Sequence, residues 1–221
     1  MRLILIRHGQ TPANVDGILE STVPGPGLTP LGSQQAEQLV DGLREQPIDA
    51  IYVSTMVRTH LTAAPLAAAR DITPLERPGL REIAAGDVEG RRDEAAVHQY
   101  VSTLFAWCGG DLDVRMPGAQ DGREVIARFD EVVAEVEASG HDAVALVSHG
   151  AVIRAWCAVR TDNIDLDFVT DHYVTNTGVV VVDGSSAGGW TVTSWLGEGV
   201  AEAAVRGIAG DHSPASEHLD D

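Results

Sequence analysis

Two histidines with matching surroundings are the first candidates for chemistry. His8 follows the mostly apolar run 3–7, His149 follows the run 144–148, and a glycine comes after each histidine. Imidazole can act as a base or a nucleophile near neutral pH, and glycine allows a ligand to approach the backbone closely. If both runs are parallel strands, they end at the edge of the sheet where ligands bind in open α/β folds. We therefore expect the two histidines to share one site.

Positive charge for such a site must come from arginine, because all 15 basic residues of the chain are Arg. Arg7 directly precedes His8. Arg58 follows the apolar run 49–54 and is expected near the start of the next helix. A helix N-terminus favours anions, and a guanidinium binds phosphate or carboxylate oxygens with two parallel N–H groups. Arg7 and Arg58 are thus the predicted anion-binding side chains.

Strands and helices alternate along the chain, and these elements must position the candidate residues. Short apolar runs predict strands at 2–6, 49–54, 143–148 and 178–182 in a largely parallel sheet. Residues 191–196 are predicted to form an edge strand antiparallel to the strand before it. Apolar residues at helical spacing occur in three segments, namely Ala36, Leu39, Val40 and Leu43; Val97, Val101, Leu104 and Phe105; and Val125, Phe129, Val132, Val133 and Val136. The chain is therefore predicted to be an α/β protein.

Composition excludes several classes of partner. The 221 residues carry 33 acidic and 15 basic side chains, a formal charge of −18. Nucleic acid and anionic membrane surfaces are therefore not expected as partners, because both are bound by clustered basic residues. The two cysteines, Cys108 and Cys157, show no metal-binding spacing, and no export signal is recognised, so a cytoplasmic location is expected.

The chain is predicted to hold one domain and a short tail. Residues 1–205 are assigned to the domain. Residues 206–221 are small, polar and acidic, and are expected to be a mobile C-terminal tail. The sequence leaves the oligomeric state open; a homodimer through edge strands or helices is one option.

Five ordered segments resemble the histidine phosphatase superfamily, also called the phosphoglycerate mutase-like proteins. Residues 7–11, Arg-His-Gly-Gln-Thr, resemble its Arg-His-Gly signature, and Asn14 stands where the family often has Asn. Matches to the family's further segments follow in order at 28–36, 54–63, 80–90 and 147–150. The resemblance spans residues 2 to 183. It implies a three-layer sandwich in which helices cover both faces of a largely parallel central sheet.

The resemblance also implies a specific chemistry. His8 would attack the phosphorus of a small phosphorylated metabolite and form a phosphohistidine. Glu82 would protonate the leaving oxygen and then activate the water that hydrolyses the phosphoenzyme. Neither a metal nor a cofactor is needed, because cationic side chains would stabilise the transferring group. The residues implied to bind the phosphoryl group are Arg7, Asn14, Arg58, His149 and Gly150.

Two features leave alternatives open. Asp87 and Glu89 lie close to Glu82 in sequence and compete with it for the role of the acid. Glu20 and Ser21 stand where phosphoglycerate mutases have a small residue and a glycine that contact substrate. A carboxylate at that position would repel an anionic substrate.

Three functions are therefore weighed. We favour a phosphatase over a bisphosphoglycerate-dependent phosphoglycerate mutase. A mutase carries paired arginines in the insert after the acid, whereas residues 100–113 contain no basic residue. The third alternative, a weakly catalytic protein that binds phosphorylated ligands, is supported by the altered residues Glu20 and Ser21.

Overall fold

A mixed β-sheet runs through the centre of the molecule. The computed structural model describes residues 1–196 and the backbone of the short strand Glu198–Gly199, so the predicted tail 206–221 and its boundary at residue 205 lie outside the described residues. The strands of the described part are β1 (Arg2–Arg7), β2 (Ala50–Val53), β3 (Leu75–Glu76), β4 (Ala143–Ser148), β5 (Val179–Ser185), β6 (Gly189–Trp195) and β7 (Glu198–Gly199).

The strand order within the described residues is β3-β2-β4-β1-β5-β6-β7. The first four strands in this order are parallel to one another. β5 runs antiparallel to β1, and β6 runs antiparallel to β5. The parallel half therefore brings the carboxyl ends of β1, β2 and β4 to one edge of the sheet.

Helices cover both faces of the parallel half. The α-helices of the described residues are α1 (Pro12–Asp16), α2 (Pro30–Gly42), α3 (Val57–Arg70), α4 (Glu94–Cys108), α5 (Gly122–Ala138), α6 (Gly150–Arg160) and α7 (Leu166–Asp171).

Alternation along the strands explains the layers. Successive side chains of a strand point to opposite faces of the sheet. Leu3 and Leu5 of β1 pack in a buried cluster with α4, α5 and α6. Ile4 and Ile6 pack in a second cluster with α2 and α3. Because both faces are buried, these strands are continuously apolar, as expected for a parallel sheet between two layers of helices.

The predicted fold class is confirmed, and two details of the sheet are corrected. The predicted strands 2–6, 49–54 and 143–148 are present as β1, β2 and β4, and the strand predicted at 191–196 is present as β6, antiparallel to β5. It was predicted to be the edge strand, but β7 pairs with β6 and forms the edge within the described residues. A two-residue strand is too short for an apolar pattern to reveal it. The strand predicted at 178–182 was placed in the largely parallel sheet, but β5 is antiparallel to β1. Its apolar run is equally compatible with either direction, because the strand is buried between two neighbours.

None of the helices in the described residues combines the length and the apolar character that crossing a bilayer requires.

Candidate active site

His8 and His149 lie side by side at the ends of adjacent strands. β1 and β4 are paired in register, with Arg7 opposite Ser148, so the residue that follows each strand reaches the same edge. The backbone N–H of His8 donates to the carbonyl of Ser148 over 3.0 Å. The two imidazole rings are 5.1 Å apart between centroids, at 61° between their planes. The two histidines therefore lie together, as the sequence predicts.

The surroundings of His8 keep its imidazole neutral. Its pKa is held well below the usual 6.5, chiefly because burial disfavours the charged ring, and further because Arg58 and Arg7 repel a second positive charge. Nδ1 lies 2.8 Å from the carbonyl oxygen of Gly9. In a neutral ring this carbonyl fixes the proton on Nδ1, which donates to it. Nε2 is then the nitrogen with a lone pair.

The loop after His8 is held by residues of the segment 28–36. The N–H of Gln10 donates to Oε1 of Gln35 over 2.9 Å. A Cβ on Gly9 would lie only 2.6 Å from the carbonyl oxygen of Gly32, so the two backbones are in direct contact. Both Gln35 and Gly32 belong to α2. These positions hold the nucleophile's loop in place.

Arg7 is buried against the loop before β5 and the first residue of α6. Its side chain is 1% exposed, and Nη1 donates to the carbonyl of Val174 over 2.6 Å. Gly150, the first residue of α6, packs against the guanidinium: a Cβ there would be 3.2 Å from Nε of Arg7. A side chain at position 150 would therefore crowd the guanidinium of Arg7.

Arg58 lies between a carboxylate and a histidine. Its Nη1 donates to Oε2 of Glu20 over 2.7 Å, and its Nη2 donates to the backbone carbonyl of the same residue over 3.1 Å. Its Nε donates to Nδ1 of His149 over a longer distance, 3.3 Å. Burial lowers the pKa of Arg58, and the charges of Glu20 and Glu82 oppose that shift.

His149 links Arg58 to the carboxyl end of the strand β2 through its two ring nitrogens. Nε2 lies 2.9 Å from the hydroxyl oxygen of Ser54, the residue that follows β2. The ring is fully buried, and its pKa is well below 6.5 because burial, and then the charge of Arg58, disfavour protonation. With Nδ1 accepting from Arg58, the proton of the neutral ring is on Nε2, which donates to Ser54.

Glu82 is anchored at the N-terminus of α6. Its Oε1 accepts from the N–H of Val152 over 3.0 Å and from its neighbour Ile83 over 2.9 Å. Its Oε2 accepts from the N–H of Ala151 over 3.2 Å. Free N–H groups and the helix dipole make this a favourable place for a carboxylate. The side chain is fixed in orientation and lines the same cleft as His8.

The two sequence neighbours that compete with Glu82 are placed differently. Both oxygens of Glu89 accept hydrogen bonds from Ser21, one from its N–H over 2.7 Å and one from its hydroxyl. Asp87 is exposed, and neither residue is among the side chains that line the cleft. The geometry therefore favours Glu82 as the acidic group.

Asn14 is positioned by a residue that the sequence did not single out. Oδ1 of Asn14 accepts from the N–H of Thr11 over 3.0 Å and lies 3.3 Å from Nδ2 of Asn176. Nδ2 of Asn176 also donates to the carbonyl of His8 over 3.1 Å. Asn176 lies in the loop before β5, outside every recognised motif. The local sequence around Asn176 gives no sign of its contact with His8, which lies 168 positions away in the chain.

Most of these residues line a small cleft of about 40 Å³. Arg7 and Arg58 are the arginines among the described residues that line it. Neither His149 nor Gly150 is among the lining residues, and their direct contact with a phosphoryl group stays a prediction. The remainder of the wall is largely apolar or neutral, and consists of Thr11, Ala13, Ile18, Leu19, Ser21, Ile83, Ala85 and Tyr100, together with the acidic Glu20.

The chain belongs to the histidine phosphatase superfamily (branch 1), whose family model matches residues 3–196. The adenosylcobalamin/alpha-ribazole phosphatase of Salmonella typhimurium is 33% identical over 155 residues, which cover 69% of this chain and 76% of that protein. The structure of a mycobacterial glucosyl-3-phosphoglycerate phosphatase complexed with VO3 is 26% identical, with a TM-score of 0.74. The alignment covers 88% of this chain and 98% of the chain in that structure.

One relative is much longer than this chain. The PE-PGRS family protein PE_PGRS11 of Mycobacterium tuberculosis is 36% identical over 216 residues, which cover 90% of this chain but 37% of that protein. The similarity therefore concerns one part of that relative. The resemblance to histidine phosphatases predicted from residues 2 to 183 is confirmed.

Proposed function

We propose that this protein is a metal-independent phosphatase that hydrolyses a small phosphomonoester through a phosphohistidine on Nε2 of His8. The observation that carries the proposal is the state of His8: a neutral ring, fixed by Gly9 through Nδ1, beside the guanidinium groups of Arg7 and Arg58. A neutral imidazole is a nucleophile without any further base. The two guanidinium groups supply the positive charge that a metal ion provides in other phosphoryl-transfer enzymes.

The first step forms a bond between Nε2 of His8 and phosphorus and breaks the bond between phosphorus and the ester oxygen. Arg7 and Arg58 stabilise the charge of the transferring group. Glu82 must be protonated when the ester binds; it gives that proton to the leaving oxygen, so the product leaves as an alcohol. His149 orients Arg58 through Nδ1 in this scheme.

The second step regenerates the enzyme. Glu82, now ionised, accepts a proton from a water molecule while the oxygen of that water attacks phosphorus. The bond between phosphorus and Nε2 breaks, inorganic phosphate is released, and His8 returns to the neutral ring. Because Glu82 is held by α6 in both steps, the same side chain can serve as acid and then as base.

The charges of the cleft favour hydrolysis over mutase chemistry. A bisphosphate-dependent mutase must hold a second anionic group, which requires more cations than a single phosphoryl group. Two arginines line this cleft in the described residues, and α4, which spans most of the segment 100–113, contributes neutral Tyr100 to its wall.

The size of the cleft and the charge of the protein favour a small substrate. The names of the relatives describe phosphatases of small phosphorylated compounds. A net charge of −18 disfavours docking of another large anionic molecule. The same charge is our reason for proposing neither nucleic acid nor a membrane as a partner. We also infer a cytoplasmic location, supported by two buried free cysteines.

A substrate panel tests the proposal. Phosphate release is measured with EDTA present over sugar, polyol, nucleoside and amino-acid phosphomonoesters, and conversion of 3-phosphoglycerate to 2-phosphoglycerate is followed in parallel. We expect release concentrated on one or a few compounds. Interconversion without release would establish the mutase instead, and inactivity on every compound would favour the ligand-binding protein.

A further inference from the structure

Glu20 occupies N–H groups of Arg58, the arginine to which the proposed function assigns the phosphoryl group. Its Oε2 and its backbone oxygen accept from Nη1 and Nη2 of Arg58, over 2.7 and 3.1 Å. A guanidinium binds carboxylate and phosphate oxygens with the same pair of parallel N–H groups. Glu20 therefore uses the donors of Arg58 that would otherwise bind the phosphoryl oxygens.

The backbone around Glu20 is fixed on both sides. The N–H of Leu19 donates to the carbonyl of Arg91 over 2.9 Å. The N–H of Ser21 donates to Oε1 of Glu89 over 2.7 Å. Rotation of the side chain of Glu20 therefore frees Nη1 of Arg58 without movement of the loop, whereas Nη2 stays bonded to the backbone carbonyl of Glu20.

Gly25 and Thr22 pack against the same ion pair. Gly25 has a φ of +69°, and a Cβ there would lie 2.8 Å from Nη1 of Arg58 and 3.0 Å from Oε2 of Glu20. The hydroxyl of Thr22 donates to Oε1 of Glu20 over 2.6 Å. A glycine at position 25 suits both the positive φ and the close approach of the pair.

The pair also balances charge inside the cleft. The side chain of Arg58 is 3% exposed and that of Glu20 is 17% exposed. A buried guanidinium without a counter-ion is costly, and Glu20 supplies that counter-ion. A phosphoryl group that takes over Arg58 must replace Glu20 and then tolerate a carboxylate nearby. Any further anion on the substrate meets the same carboxylate.

We propose that Glu20 is a specificity-determining residue that competes with the phosphoryl group for Arg58 and selects esters of alcohols that carry no second anion. This inference rests on the proposed function of the same cleft. It names the substrate class as a phosphomonoester of an uncharged or cationic alcohol. It also implies weak retention of inorganic phosphate, the product.

Binding of inorganic phosphate tests the competition without requiring turnover. Isothermal titration calorimetry compares the wild type, Glu20→Gln and Glu37→Gln. Glu37 is exposed on α2, so this control changes net charge equally at a distance from the cleft. Since a neighbouring charge shifts such equilibria by one or more powers of ten, we expect Glu20→Gln to bind phosphate about tenfold tighter. Glu37→Gln should bind as the wild type does.

Equal or weaker binding by Glu20→Gln would overturn the proposal, because Glu20 would then serve to hold Arg58 in position. Glu20→Ala, which keeps no hydrogen-bonding group at this position, must change affinity in the same direction. Thermal unfolding of each variant establishes that it is folded. Tighter phosphate binding together with a lack of turnover on all esters would refute the phosphatase and leave the competition for Arg58 intact.

A pair of esters tests the substrate class. Glycerol 3-phosphate and 3-phosphoglycerate differ by a carboxylate in place of a hydroxymethyl group. We expect the wild type to favour the former in kcat/KM, and Glu20→Gln to shift the ratio about tenfold towards the carboxylate-bearing ester. An unchanged ratio would remove Glu20 from the selection of substrates.

Discussion

The charge states of single residues decide what this cleft can do. His8 is neutral because it is buried between two arginines, and Glu82 is fixed by three backbone N–H groups. These two side chains divide the proposed chemistry between a nucleophile and an acid. A more basic leaving oxygen depends more strongly on protonation by the acid. Esters with different leaving groups therefore test whether Glu82 is that acid.

Glu82→Gln should therefore slow esters of alkyl alcohols far more than p-nitrophenyl phosphate. A general acid contributes about 10²- to 10⁴-fold, and p-nitrophenolate leaves without protonation. The difference is measured in kcat/KM, which reports the steps up to release of the alcohol; the loss of Glu82 as base in the second step lowers kcat for both classes of ester. Asp87→Asn, at an exposed neighbouring carboxylate, serves as the control and should leave both rates unchanged. Equal losses on both esters would assign the acid to another group.

At the scale of elements, the cleft is held by contacts between segments that are distant in sequence. Arg128 of α5 is an example, because its guanidinium binds the backbone of the loop that carries Glu82. Nη1 donates to the carbonyls of Gly79 and Arg81 over 2.6 and 2.7 Å, and Nη2 donates to that of Glu82 over 3.1 Å. Burial lowers the pKa of Arg128 to about 10, so it stays charged at neutral pH. We interpret Arg128 as a positioning residue for the acid.

Arg128→Met should lower kcat with little change in KM. Misplacement of a catalytic group by about 1 Å costs up to about a hundredfold, and the loss should be larger for alkyl esters than for p-nitrophenyl phosphate. Arg123→Met, at an exposed arginine of the same helix, is the matched control. A loss of kcat/KM that is equal for both esters would indicate a structural role without an effect on Glu82 as the acid.

The sequence reveals local features of these elements and misses contacts between them. The runs 2–6 and 143–148 predict β1 and β4 because a buried parallel strand is continuously apolar, and the histidines after them follow directly. Asn176 and the pairing of Glu20 with Arg58 depend on how loops fold over the sheet, which no local pattern encodes. The direction of β5 is also set by tertiary packing.

At the scale of the whole molecule, the site imposes a dependence of folding on pH. His8 and His149 both have pKa values well below 6.5 in the folded protein, because burial is the largest influence on each. As pH falls below 6.5, an unfolded chain protonates these histidines while the folded protein does not. The unfolded state then binds more protons, so the free energy of unfolding decreases with decreasing pH.

Each of the two histidines should therefore reduce the free energy of unfolding by up to about 1.4 kcal/mol per pH unit below about pH 6.5. Urea unfolding at pH 7.5, 6.5 and 5.5 measures this slope. His8→Asn should make it shallower, whereas His98→Asn, at an exposed position of α4, should retain the wild-type slope. A wild-type slope in His8→Asn would contradict a neutral, buried His8.

The covalent intermediate is the most direct test of the account. The protein is mixed with a substrate from the panel, quenched under alkaline conditions within a turnover, and digested for mass spectrometry. We predict one added phosphoryl group on the peptide that contains His8, with no label and no turnover in His8→Ala and with both retained in His98→Ala. A phosphoryl group on another residue, or turnover by His8→Ala, would contradict the assignment of His8 as the nucleophile.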